Sequence, residues 1–128
     1  MKNKVLPKSG KCIAMGIITT RAQGNLSDAA SLLDEGYTVP SHMSITMAAN
    51  QLKHMRLADG RLRKEASKIE RDLRRLLGSF HAEKRHLVVD DKEKVKKGIV
   101  GAIVQVGRLG DAASEACGLP KELSQTWY

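Results

Sequence analysis

The stretch Leu57–Phe80, LADGRLRKEASKIERDLRRLLGSF, places an apolar residue every three or four positions and a basic residue in almost every gap. Its reading decides the fold class, because apolar groups at that spacing fall on one side of an α-helix. The same seam extends backwards. Ile45, Ala48, Leu52, Met55, Leu62, Ala66, Ile69, Leu73, Leu76 and Phe80 keep the three-and-four rhythm, with one interruption at Asp59. A run of this length predicts a long central helix from about residue 44. Asp59-Gly60 is its weak point, where the helix either kinks or gives way to a second helix around a tight turn.

A second seam follows at Val95, Ile99, Ala102, Val106, Leu109, Ala113 and Ala116, with Asp90 or Asp91 placed to cap its start. Two seams joined by a short connector predict an antiparallel pair, with Leu62, Ile69, Leu73 and Leu76 facing Ile99, Val106 and Leu109. Residues 98–107, GIVGAIVQVG, argue the other way, since glycine and β-branched residues favour a strand or a bend. The unbroken phase of the seam favours helix, and Gly98 and Gly101 could admit a close neighbour.

Around these seams the chain reads as one domain, 12–120, between a flexible basic arm, 1–11, and a C-terminal tail, 121–128. Residues 12–20 form a short apolar piece readable as edge strand or packed coil, and Gln23-Gly24-Asn25 breaks it. A short helix then covers 27–35, capped by Asn25 or Ser27 and ended by Gly36. Residues 81–91 are a connector with a short extended piece. The expected fold is therefore all-α: a small antiparallel helical bundle with a long central helix and a flexible basic N-terminus.

Lys and Arg outnumber Asp and Glu by 22 to 14, a net charge of +8. That excess favours phosphate-rich partners. Helical phase puts Lys53, Arg61, Lys64, Lys68, Arg71, Arg74 and Arg75 mostly opposite the seam, where a basic stripe could follow a phosphate backbone. The competing reading is a solvated surface laced with local ion pairs such as Arg61–Glu65. The segment 28–56 also resembles helix-turn-helix regulators, with Asn50, Gln51 and His54 as candidate base contacts. Its turn, Gly36 to Ser44, is longer than such motifs use, and Pro40 lies inside it.

Catalysis finds no support. His42, His54, His81 and His86 show no zinc spacing, and no nucleophile motif or phosphate-binding glycine loop is present. No cofactor or metal is implied. Cys12 and Cys117 read as reduced thiols in a cytoplasmic chain, and no apolar run is long enough to span a bilayer. The expected function is a small nucleic-acid-binding accessory or regulatory protein, with DNA favoured over RNA. The alternative is a helical adaptor or homodimer acting through Ile45, Ala48, Leu52 and Met55, or through Trp127 and Tyr128.

Overall fold

The computed structural model describes residues 8–55 and 60–116, with side chains from residue 13 onward. Four helices and one hairpin make up this part: α1 Lys8–Asp34, α2 Thr38–Lys53, α3 Gly60–Leu77, β1 Phe80–Glu83, β2 His86–Val89 and α4 Lys92–Ala116. Each helix packs on its chain neighbour, and α4 closes the ring on α1. The result is an antiparallel four-helix bundle with the hairpin at one end. The expected all-α bundle is what the chain forms.

The bounds of the helices depart from expectation in two places. Residues 12–20 are neither strand nor coil but part of α1, which runs 27 residues through Gln23-Gly24-Asn25 without a break. Met15, Thr19, Ala22, Leu26, Ala29 and Leu33 are buried along it, spaced four, three, four, three and four. This is a full seam, hidden in the sequence because three of its six members are Thr19, Ala22 and Ala29. The hydroxyl of Thr19 lies 3.0 Å from the Met15 carbonyl and 3.1 Å from that of Gly16, so its proton is satisfied within its own helix. The break residues are held by neighbours instead. Gln23 donates to the Ile103 carbonyl at 3.0 Å, and Asn25 donates to the Gln51 amide oxygen at 2.9 Å. Helix also covers Lys8–Lys11 of the expected arm; residues 1–7 lie outside the described part.

The second departure is the long central helix, which is two helices. α2 ends at Lys53 and α3 begins at Gly60, so the weak point read at Asp59-Gly60 divides the seam between two antiparallel helices. Folding back is what lets both halves of the seam reach one core. Asp59 itself lies outside the described residues.

Local chemistry sets the remaining boundaries. Gly36, with φ of +87°, ends α1 as expected. The Gly36 N–H reaches the Leu33 carbonyl and the Tyr37 N–H the Leu32 carbonyl, the two bonds of a glycine-terminated helix. Asp91 is the cap of α4, its carboxylate accepting from the Lys94 N–H at 3.1 Å. Between α3 and α4 the expected extended piece is a hairpin, with Phe80 opposite Val89 and Glu83 opposite His86. Phe80 turns into the core, and its ring meets His42 of α2 edge-on at 5.2 Å. Thr38 ties the start of α2 to the hairpin by donating to the Leu87 carbonyl at 2.6 Å.

Residues 98–107 are helical throughout. A side chain at Gly98 would meet Leu76 Cδ2 at 2.6 Å, one at Gly107 would meet Gln23 Nε2 at 2.8 Å, and one at Gly110 would meet Thr19 Oγ1 at 3.0 Å. Gly101 has nothing within 4 Å, so it is not the close-approach site its spacing suggested. Three glycines are thus seats for side chains of α1 and α3, which is why a helix tolerates them.

Candidate nucleic-acid interface

α3 buries Leu62, Ala66, Ile69 and Leu73 against the bundle. With 3.6 residues per turn, Lys64, Lys68, Arg71 and Arg75 fall within roughly 60° of one another on the opposite side. All four are exposed. Eleven residues separate the first from the last, so the row runs about 16 Å along the helix. Arg75 touches Asp72 at 3.4 Å but stays 80% exposed, so this pair leaves the guanidinium open to a partner. Lys64, Lys68 and Arg71 form no ion pair with a described residue.

The other expected contacts divide differently. Arg61 lies at the edge turned to α4, where it lines a cavity of about 330 Å³ with Glu65, Lys68, Gln105 and Arg108. Arg108 therefore joins the basic surface from a second helix. No ion pair links Arg61 to Glu65 among the described residues. Arg74 turns the other way, to α2. It contacts Glu70 at 2.9 Å and donates to the Asn50 side-chain oxygen at 3.1 Å, so its fork is engaged at the surface by partners within the protein. Lys53 is the last residue of α2 and is exposed there, apart from the row on α3.

Charge is sorted across the bundle. α3 carries seven basic and three acidic residues and α4 carries five and three, so this half holds (7 − 3) + (5 − 3) = +6. Residues 8–53, which span α1 and α2, hold Lys8, Lys11, Arg21 and Lys53 against Asp28, Asp34 and Glu35, which gives 4 − 3 = +1. Among the described residues an ion pair joins the two halves, Lys96 with Asp34 at 2.9 Å. That hydrogen bond first, and the Asp34 charge second, hold the Lys96 ammonium above its ordinary pKa.

The helix-turn-helix candidates sit elsewhere. The turn between α1 and α2 is short, α2 starts at Thr38, and Pro40 occupies its first turn, where a missing N–H costs nothing. α2 folds back along α1, with Ser41 donating to the Ala29 carbonyl at 2.8 Å. Asn50 and Gln51 spend their side-chain oxygens on Arg74 and Asn25. Together with the exposed His54 they lie at the C-terminal end of α2, whereas recognition helices contact bases from their N-terminal end.

The expected protein interface on the seam is also filled. Ile45, Ala48, Leu52 and Met55 are all 2% exposed or less, because α1, unforeseen as a long helix, covers them. They are core and offer no surface to a second chain. Trp127, Tyr128 and Cys117 lie outside the described residues. What the seam did not show is the opposite side of α2, where Val39, Met43 and Met47 are about half exposed.

Among the described residues no group of three His, Cys, Asp or Glu is placed to hold a metal ion. His81 lies 3.0 Å from Asp90 within the hairpin region. A cavity of about 440 Å³ beside the α1–α2 turn and β2 is lined by Arg85, His86 and Lys92 over Leu33, Val39 and Leu87. It contains no nucleophile paired with a base. No described helix is long and apolar enough to cross a membrane. No family model, curated protein or solved structure matches the chain.

Proposed function

We propose that the protein is a non-enzymatic nucleic-acid-binding accessory or regulatory protein that grips the phosphate backbone of duplex DNA. The observation that carries this reading is the row of Lys64, Lys68, Arg71 and Arg75 on the outer side of α3, within the half of the bundle that holds +6. Phosphate contacts of this kind give affinity and orientation without base reading. Sites for single strands stack bases on aromatic rings. The basic row has none, and the described aromatics, Tyr37 and Phe80, belong to the α1–α2 turn and the core. That favours a duplex.

Four phosphate contacts predict a slope of log affinity against log salt near −3.6, an affinity loss of about 150-fold between 50 and 200 mM salt. Fluorescence anisotropy with duplex DNA, single-stranded DNA and RNA across that range tests it. Changing Lys64, Lys68 and Arg71 together to Gln removes three contacts, so the slope should fall to about −0.9. Arg74→Gln should leave it unchanged, because that guanidinium is engaged by Glu70 and Asn50. No binding at low salt, or an unaltered slope in the triple variant, overturns the reading. Tighter binding to RNA than to duplex DNA overturns the choice of DNA.

A further inference from the structure

We infer that the outer face of α2 is the site where a second copy of this chain docks. α2 is apolar on two sides. Ser41, Ile45, Ala48, Ala49 and Leu52 face inward, while Val39 (52% exposed), Met43 (58%) and Met47 (49%) form a row at four-residue spacing on the outside. A surface helix normally confines its apolar residues to the core side. Tyr37, 56% exposed, stands at the head of the row.

Two observations select a second copy as the occupant. The first is charge. With +8 overall, two copies repel wherever basic faces meet, and the half built from α3 and α4 holds most of that charge. α2 carries a single charged residue, Lys53, at its last position. Arg85 and Lys92 lie beside Val39 at one end of the row and Arg74 bonds Asn50 at the other, so Met43 and Met47 between them are where like-charged chains meet with least repulsion. An acidic partner would be drawn to the opposite half. The second observation is area. Tyr37, Val39, Met43 and Met47 expose roughly 400 Å² per protomer, close to the apolar share of one side of a standard interface, roughly 450–500 of 800 Å². Thr46, Asn50 and His54 supply a polar rim.

The spacing also sets the geometry. Residues four apart form the ridge that packs into its own counterpart at a crossing angle of about −50°. A two-fold axis between Met43 and Met47 then lays each Met43 against the other copy's Met47. Methionine side chains adapt to such a contact without a preformed pocket. The basic halves point away from the axis.

Sedimentation equilibrium of the full chain, from low to high micromolar concentration, reads the association directly. The unaltered protein should pass from monomer to dimer. Changing Met43 and Met47 together to Glu should raise the dissociation constant by about tenfold or more. Circular dichroism of this variant should be unchanged, because both side chains lie outside the core. Val104→Glu, at an equally exposed apolar position on α4, should leave the dimer intact. Raising salt should strengthen the dimer while it weakens nucleic-acid binding, so the two readings fail separately. A monomer at every concentration, a loss of the dimer in Val104→Glu, or its persistence in the Met43/Met47 variant overturns the inference.

Discussion

Gly98 and Gly101 lie three residues apart on α4, and the structure assigns them opposite responses to the same substitution. Alanine at either position should favour the helix by about 0.5–1 kcal/mol, since glycine has more backbone freedom to lose on folding. At Gly101 nothing lies within 4 Å of the added methyl group, so that gain should appear in full. At Gly98 the methyl group would meet Leu76 Cδ2 at 2.6 Å and Cδ1 at 3.1 Å. Leu76 is half-buried against the core, so it must rotate outward or push α3 away. Overpacking of this kind costs about 1–3 kcal/mol, more than the propensity gain at its upper end. Gly101→Ala should therefore be stabilised by about 0.5–1 kcal/mol, and Gly98→Ala should be neutral to destabilised by up to about 2 kcal/mol. Urea unfolding followed by helical circular dichroism measures both. A Gly98→Ala variant at least as stable as Gly101→Ala would refute the seat assigned to Leu76. A destabilised Gly101→Ala would refute the helix through residues 98–107.

Leu73 is fully buried, so Leu73→Ala should lose about 2–5 kcal/mol in the same assay. A loss below about 1 kcal/mol would remove Leu73 from the core. The Lys96–Asp34 pair adds a pH signature. The folded pKa of Lys96 is raised, so the pair stabilises below the unfolded value of about 10.4 and is lost as pH rises through the folded value. Lys96→Met should melt slightly below the unaltered protein at neutral pH and converge with it above the folded pKa. The gap should shrink in salt because the pair is exposed. A gap that survives at high pH would assign the effect to lost packing.

Sequence reading reached the two richest seams, on α3 and α4, because Leu, Ile and Val mark their inward positions without ambiguity. It reached only the last part of α1, from Ser27, because the seam before it passes through Thr19 and Ala22, and because Gly24 carries a breaker's signature. Tertiary bonds from Gln23 and Asn25 decide that segment, and a pattern confined to its own neighbourhood cannot register them. Missing the first part of α1 had a second effect. A first helix of nine residues was too short to cover Ile45 to Met55 alone, so that stretch read as open to a second chain, whereas the full α1 packs on α2 and the seam is buried. The basic row was legible, since helical phase alone opposes Lys64, Lys68, Arg71 and Arg75 to the seam. The engagement of Arg74 was not, because Asn50 reaches it from another helix. The outer row of α2 did carry a signal. Val39, Met43 and Met47 recur every four residues out of phase with Ile45, Ala48 and Leu52, a second apolar stripe that a helix with a single buried side does not need.

The sorting of charge across the bundle has a consequence for how two copies would meet nucleic acid. Joined through their α2 rows, they would carry their +6 halves on opposite sides of the dimer axis, each turned to its own duplex segment. One dimer would then bridge two segments, and holding the first would raise the effective concentration at which the second is met. The Met43/Met47 variant would lose that bridging while keeping its grip on a single duplex.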